Sequence, residues 1–167
     1  FLNDNKVIKI IADLGKIDHN DFILEVGAGT GKLTEKILEQ SPKKLFVIEK
    51  DQRLALYLNE KFGDKINIFN EDMMKFEYER YFKDKLIIFG NLPYNISTQI
   101  LAKWIRVKNL DSFCKKFILM FQKEVADRII AETNTKNYGR LSILSNWKMK
   151  IKKIIDIELY IYNLFNF

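Results

Sequence analysis

Four short segments of the sequence contain residue types that could bind a ligand, and each of them follows an apolar run. They are the glycine-rich segment 27–31 and the segments 49–50, 72–73 and 91–94. Apolar runs of four or five residues are typical of buried strands in a parallel sheet. The carboxyl ends of such strands meet at one edge of the sheet, where α/β proteins bind their ligands. We therefore expect the four segments to form one site.

The first segment is a tight turn that could bring the backbone close to a ligand. It opens after Glu25 and contains Gly27, Gly29 and Gly31. Glycines permit the turn, and the following helix offers free N–H groups. A P-loop is excluded, because three residues rather than four separate Gly27 from Gly31, and Leu33 stands where Ser or Thr would bind magnesium. The spacing G-x-G-x-G also departs from the usual dinucleotide pattern, and a turn without a ligand is the alternative.

Carboxylates at the next two strand ends complete a predicted adenosine pocket. Glu49 can accept hydrogen bonds from both ribose hydroxyls, a role that serves NAD as well as S-adenosylmethionine (SAM). Asp72 can accept a hydrogen bond from an adenine amine, and Met73 can lie against the adenine ring. A solvated carboxylate is the alternative at Glu49 taken alone. The combination of glycines, a ribose acceptor and an adenine acceptor at successive strand ends predicts the pocket.

The fourth segment, Asn91-Leu92-Pro93-Tyr94, indicates the chemistry. The amide oxygen of Asn91 and the backbone carbonyl of Leu92 can each accept one N–H of an amino group, which turns the nitrogen lone pair toward a methyl donor. Pro93 stiffens the loop, and Tyr94 offers a flat face for an extracted base. An ordinary Asn-x-Pro turn is the alternative. Beside the predicted pocket, the segment favours methyl transfer to the exocyclic amine of adenine.

The rest of the sequence predicts an α/β fold in which a mostly parallel central sheet carries helices on both faces. No linker or repeat divides the chain, so we expect one domain over residues 1–167. Apolar runs predict strands at 22–26, 45–48, 66–69, 86–89, 117–121 and 151–157. Helical spacing predicts helices at 7–14, with Asn3 or Asp4 as N-cap, and at 32–40, 54–62, 101–105, 123–131 and 140–147.

Composition narrows the class of protein. Hydrophobic residues make up 47% of the chain and charged residues 30%, which is ordinary for a soluble globular protein. No run approaches the roughly 18 apolar residues of a membrane span, and Phe1–Asp4 resembles no signal peptide. The single Cys114 excludes an internal disulfide, and we interpret it as a buried apolar residue. With His19 as the only histidine, the sequence predicts no metal site.

The net charge of +6 is unevenly distributed. Residues 1–100 contain 15 Lys and Arg against 16 Asp and Glu, a balance of −1, whereas residues 101–167 contain 13 against 6, a balance of +7. A basic second part beside a neutral first part indicates that a polyanionic partner binds to one side of the protein. A bias in the base composition of the gene is the alternative.

The segment 91–97, read as Asn-Leu-Pro-Tyr-Asn-Ile-Ser, resembles the signature of the rRNA adenine N6-dimethyltransferase family, which includes the bacterial kasugamycin-resistance enzymes. The opening Phe1–Asp4 is similar to the end of the family's N-terminal Gln-Asn-Phe-Leu motif. Segments 122–128 and 138–142 resemble its later blocks. The resemblance extends over the whole chain.

The resemblance implies a class I SAM-dependent methyltransferase that methylates two adjacent adenines near the 3′ end of small-subunit rRNA within a pre-ribosomal particle. It implies SAM as donor, S-adenosylhomocysteine (SAH) as product, no metal, and no membrane partner. We expect a cytoplasmic monomer, with an organellar form left open. The cofactor-binding residues are then Leu2, Glu25, Gly27, Gly29, Gly31, Glu49, Lys50, Asp72, Met73 and Asn91, and the catalytic ones Asn91, Leu92, Pro93 and Tyr94.

Relatives continue into a small helical domain that grips RNA, so we expect a catalytic domain cut at both ends. Four other functions stay open. A methyltransferase of large-subunit rRNA tends to have Ile in place of Leu92, and a DNA adenine methyltransferase has Asp or Asn before Pro-Pro-Tyr. A non-catalytic nucleic-acid-binding relative would not need Asn91 and Tyr94. A NAD-dependent oxidoreductase would leave the segment 91–94 unexplained.

Overall fold

The computed structural model describes residues 4–157 and 159–166, so the predicted contact of Leu2 lies outside the described residues. A seven-stranded sheet forms the centre of this part of the chain. Its strands are β1 Phe22–Val26, β2 Lys44–Ile48, β3 Asn67–Phe69, β4 Leu86–Asn91, β5 Cys114–Gln122, β6 Met149–Ile157 and β7 Leu159–Asn166. The helices are α1 Asn5–Leu14, α2 Lys32–Leu38, α3 Gln52–Phe62, α4 Tyr78–Tyr81, α5 Ser97–Arg106, α6 Leu110–Phe113, α7 Lys123–Ile129 and α8 Arg140–Lys148.

The sheet has the strand order β3-β2-β1-β4-β5-β7-β6. The first five of these strands are parallel, whereas β7 runs antiparallel to both of its neighbours, β5 and β6. The predicted α/β fold with a mostly parallel sheet is therefore confirmed. The order reverses between β1 and β4, and a ligand of such a sheet binds beyond the carboxyl ends of the strands at this point.

Helices cover both faces of the sheet because the central strands are apolar on both sides. Ile23 and its neighbour Ile87 pack with α1, α2 and α3, whereas the next pair, Leu24 and Ile88, pack with α5 on the opposite face. Successive side chains of a strand point to opposite faces, so a continuous apolar run can build two core layers. Trp104 of α5 is fully buried in the second layer.

Several element ends differ from the prediction. The strand β5 starts at Cys114 and ends at Gln122, beyond the predicted 117–121, and the predicted helices at 32–40 and 123–131 end at Leu38 and Ile129. The short helices α4 and α6 escaped prediction because four residues are too few to show a helical period. The hairpin partner β7 was also missed, although its alternating Leu, Tyr, Ile and Phe residues are typical of a strand.

Two aspartates determine where the helices α1 and α3 begin. Asp4, one of the two predicted caps, accepts hydrogen bonds from the backbone N–H groups of Lys6 at 2.8 Å and Val7 at 3.4 Å. Asp51 accepts in the same way from Arg53 at 2.8 Å and Leu54 at 3.4 Å, and so starts α3 directly after the loop that follows β2. No helix of the described residues is long and apolar enough to cross a membrane.

Replacing Gly31 with alanine should destabilise the fold. Gly31 has a φ of 76°, and a Cβ there would lie 2.6 Å from Cε2 of Phe62 and 2.7 Å from Cδ2 of Leu58. We expect Gly31→Ala to lower the free energy of unfolding by about 2–4 kcal/mol in urea titrations, since a left-handed conformation and an overpacked contact both cost energy. Gly139 has no atom within 4 Å of its ideal Cβ. The control Gly139→Ala should cost less than about 1 kcal/mol, and equal losses for the two variants would contradict the packing role of Gly31.

Candidate active site

A cavity of about 360 Å³ lies at the carboxyl ends of β1, β2 and β4. The sheet register places Val26 beside both Ile48 and Gly90, so the loops that follow these three strands start side by side. These loops and the helices after them line the cavity with Glu25, Gly27, Ala28, Gly29, Thr30, Lys32, Leu33, Glu49, Leu54, Asn91, Leu92, Pro93 and Tyr94. Most residues of the predicted site are therefore brought together.

The glycine turn after β1 winds with positive φ angles at Gly27, Gly29 and Gly31. The N–H of Gly27 donates to the carbonyl of Ile48 at 2.9 Å, which fixes the turn to β2. Gly27 and Gly29 line the cavity, but Gly31 does not, because its Cα faces Phe62 of α3. The structure thus gives Gly31 a packing role beside α3.

Glu49 is held by the backbone at the end of β2. Its Oε2 accepts a hydrogen bond from the N–H of Gly29 at 3.1 Å, and its Oε1 accepts one from the N–H of Asp51 at 3.0 Å. The residue is 8% exposed and lines the cavity. Each carboxylate oxygen can accept more than one hydrogen bond, so the fixed carboxylate can still receive two hydroxyl groups of a ligand.

Glu25 is a buried carboxyl group at the floor of the cavity. It is 2% exposed, and the Thr34 hydroxyl donates to its Oε2 at 2.6 Å. Burial raises the pKa of Glu25 to about 7, the hydrogen bond from Thr34 opposes this rise, and the negative charge of Glu49 adds to it. A carboxyl group with this pKa changes its charge near neutral pH. A cationic ligand in the cavity would favour the ionised form, and an anionic ligand would favour the protonated form.

The segment 91–94 forms the wall of the cavity opposite the glycine turn. A Cβ on Gly27 would lie 3.7 Å from the carbonyl oxygen of Asn91, which shows how closely the two loops approach. Leu92 is buried, whereas Tyr94 is 55% exposed at the mouth. The Ser97 hydroxyl donates to the carbonyl of Tyr94 at 3.4 Å and ties the loop to the start of α5. A buried wall ending in an exposed aromatic ring suits a flat ligand that enters from outside.

Lys50, Asp72 and Met73 lie beside the cavity and do not line it. The Oδ2 of Asp72 accepts from Nζ of Lys50 at 2.8 Å, and its Oδ1 accepts from the N–H of Met74 at 2.9 Å. These two hydrogen bonds and the nearby positive charge lower the pKa of Asp72 despite the smaller opposing effect of burial. Lys50 therefore contacts the oxygen that was predicted to accept an adenine amine. Lys50 is 75% exposed in its side chain, and such surface ion pairs exchange partners at little cost.

Sequence reasoning missed the hydroxyl of Thr34 and the apolar lining residues Leu33 and Leu54. Thr34 lies on α2, one helical turn beyond the glycine loop, where a threonine carries no signal of its own. Leu54 lies three residues after the N-cap Asp51, a position that is recognisable only once the start of α3 is known. Among the residues that the structure describes, no group of three or more His, Cys, Asp or Glu could hold a metal ion.

The described strands and helices form the α/β fold of the class I SAM-dependent methyltransferases. Known sequences then show which family of this fold the chain belongs to. The family model for "Ribosomal RNA adenine dimethylase" matches residues 1–163, and the chain belongs to this family. It is 51% identical over 158 residues to a ribosomal RNA small subunit methyltransferase A of Pelagibacter ubique, a match that covers 95% of this chain and 60% of that protein. The protein of the same name from Malacoplasma penetrans is 37% identical over 159 residues, with 95% and 56% covered.

Solved structures agree with the fold. A dimethyladenosine transferase from Plasmodium falciparum superposes with a TM-score of 0.86 at 27% identity, covering 100% of this chain and 63% of that one. The 23S rRNA methyltransferase ErmE superposes with a TM-score of 0.80 at 23% identity, covering 100% and 70%, and supports the fold alone. The chain spans little more than half the length of the curated relatives that it matches.

The raised pKa of Glu25 predicts a pH dependence of stability. The carboxyl group ionises near 4.5 when unfolded and near 7 when folded, so the folded protein holds the extra proton between these values. The free energy of unfolding should therefore fall as pH rises from about 4.5 to about 7. Glu25→Gln should remove this slope. The unfolding free energy of the variant minus that of the parent chain should therefore rise by about 2–4 kcal/mol from pH 5 to pH 8. Urea titrations at both pH values measure the gain, and an unchanged slope in the variant would contradict the assignment.

Proposed function

We propose that this chain catalyses the SAM-dependent N6,N6-dimethylation of two adjacent adenines near the 3′ end of small-subunit rRNA. The observation that carries the proposal is the single cavity shared by the glycine turn, the carboxylate of Glu49 and the segment 91–94. The glycine turn and Glu49 would form the donor site, and the segment 91–94 would form the acceptor site. Because both open into one cavity, a methyl group and an amine can lie in line there. Membership of the ribosomal RNA adenine dimethylase family supports the substrate.

SAM would supply a methyl group on a positively charged sulfonium, and the residues of the cavity suit such a ligand. Glu49 would accept hydrogen bonds from the two ribose hydroxyls while the N–H groups of Gly29 and Asp51 keep its carboxylate in place. Gly27 and Gly29 would let the backbone lie against the donor. Asp72 would release Lys50 to accept from the adenine amine, and Met73 would lie against the adenine ring. Glu25 would face the positive charge of the donor.

The segment 91–94 would hold the target base. The amide oxygen of Asn91 and the carbonyl of Leu92 would accept the two N–H groups of the adenine amine, so that the nitrogen lone pair points into the cavity. The exposed ring of Tyr94 would stack on the extracted base while Pro93 keeps the loop rigid. A donor held by Glu49, Gly27 and Gly29 would supply its methyl group to this nitrogen as the methyl–sulfur bond breaks, which would leave SAH, and the amine proton would pass to water. The residues contribute placement and polarisation, with no covalent enzyme intermediate.

The basic second part of the chain would face the RNA. Its balance of +7 over residues 101–167 suits contact with phosphates, an interaction that weakens steeply with salt. The partner we propose is small-subunit rRNA within a pre-ribosomal particle, bound by one copy of the protein. Action on such a particle would take place where small subunits assemble, which in bacteria is the cytoplasm.

Removing the Glu49 carboxylate should weaken cofactor binding. We expect Glu49→Ala to reduce the affinity for SAH by about 1–3 kcal/mol, because hydrogen bonds to a charged acceptor are lost. Isothermal calorimetry on the chain measures the change, with Glu60→Ala on the exposed face of α3 as the control that keeps the parent affinity. Binding of NAD in place of SAH, or equal SAH affinity in both variants, would refute the donor site.

Asn91 should affect the methyl transfer far more than donor binding. Asn91→Ala should slow methyl transfer by roughly 10²–10³-fold, the loss typical of removing one preorganised polar partner of a transition state, whereas SAM affinity should change much less because the amide oxygen would face the target amine. Mass spectrometry of rRNA from partly assembled small subunits incubated with protein and SAM measures the transfer. The control Asn109→Ala, in an exposed loop away from the cavity, should methylate normally. Normal transfer by Asn91→Ala, or methyl groups on cytosine, would show that this loop has another role.

A further inference from the structure

Lys103 lies in the second half of α5, the helix that begins directly after the segment 91–94. Its Nζ donates hydrogen bonds to three backbone carbonyls, those of Met73 at 3.1 Å, Met74 at 2.9 Å and Phe76 at 2.8 Å. A lysine ammonium has three donors, so this one places all of them on a single loop. The loop is the one that carries Asp72 and Met73 after β3.

The loop residues 72–76 curl so that the carbonyls of Met73, Met74 and Phe76 all reach Nζ of Lys103. The carbonyl of Asp72 accepts from the N–H groups of Lys75 at 2.8 Å and Phe76 at 3.0 Å, and its side chain accepts from the N–H of Met74. The carbonyls of Met73, Met74 and Phe76 instead accept hydrogen bonds from the ammonium of Lys103. A cation is suited to this place because carbonyl dipoles converge on it.

Burial is unfavourable for this ammonium, since it lowers the pKa of Lys103, while the charges of Asp72 and Glu77 act in the opposite direction. An apolar residue would avoid that cost on a helix whose neighbouring residues Leu101, Trp104 and Ile105 are fully buried. The ring of Tyr78 lies 5.5 Å from Nζ and gives a further contact to the cation. Lys103 therefore fits a role that requires three directed donors.

We propose that Lys103 is a positioning residue, which fixes the loop of Asp72 and Met73 to the helix that anchors the target-base loop. About 9 Å of helix separates Ser97 from Lys103, and a helix of this length is rigid. At one end Ser97 holds the carbonyl of Tyr94, and at the other Lys103 holds the loop 72–76. The adenine of the donor and the target base are thereby kept at a constant separation. This role rests on the proposed function, because it assumes that the donor adenine lies at Asp72.

The test compares SAH with S-inosylhomocysteine, in which an oxygen replaces the adenine amine. Lys103→Met retains most of the side-chain length and removes the three donors. We expect it to weaken SAH binding about tenfold and S-inosylhomocysteine binding about threefold or less, because both ligands share the ring contact with Met73 and only SAH loses the amine contact with Asp72. Arg106→Met removes a positive charge from the exposed end of the same helix and should leave both affinities unchanged. A merely structural role would lower the melting temperature and weaken both ligands alike.

Equal SAH affinity in Lys103→Met and the parent chain would overturn the role of Lys103 and leave the donor site standing. Failure of the parent chain to bind SAH would overturn both proposals. If Lys103→Met does not fold, amide hydrogen exchange in the parent chain decides. SAH should then slow exchange in residues 72–76 and in α5 together, whereas protection confined to residues 72–76 would overturn the coupling.

Discussion

The parallel pairing of β1 with β4 is the constraint on which the site depends. It places the carboxyl end of β1 beside that of β4, with Val26 opposite Gly90, at the point where the strand order reverses. The glycine turn and the segment 91–94 leave the sheet from these two ends. The positive φ of Gly27 then lets the turn pass close to the carbonyl of Asn91. Without this pairing, the glycine turn and the segment 91–94 would belong to separate surfaces.

The same geometry places two carboxyl groups in the cavity. Glu25 and Glu49 both line it, and the charge of Glu49 helps to raise the pKa of Glu25. Two carboxylates at low exposure favour a cationic ligand, since such a ligand offsets their repulsion and their loss of hydration. A sulfonium donor has this character. The two carboxyl groups of the cavity thus agree with the proposed donor.

Much of the fold and of the site could be predicted from the sequence, for identifiable reasons. Fully buried parallel strands leave continuous apolar runs, and the polar residues that follow them lie at one edge of the sheet. The contacts that join distant segments could not be predicted in this way. The hydrogen bond from Thr34 to Glu25 spans nine residues, and Lys103 lies about 30 residues beyond the loop that it holds. Partners across such separations become neighbours only when the chain folds.

Lys50 illustrates a second limit of sequence reasoning. The family resemblance implied that Lys50 contacts the cofactor, whereas in the structure its ammonium pairs with Asp72. An exposed lysine reaches whichever carboxylate lies nearest, so its partner is determined by the folded loops and by what occupies the site. Glu49 behaves differently, because two backbone N–H groups hold its carboxylate in place.

Nucleoside mass spectrometry of rRNA from cells that lack the gene tests the proposed dimethylation. N6,N6-dimethyladenosine should disappear from small-subunit rRNA and return when the gene is restored. The methylation pattern of large-subunit rRNA should be the same in both strains. Persistence of dimethyladenosine in the small subunit, together with the loss of a methylated adenine from the large subunit, would contradict the account.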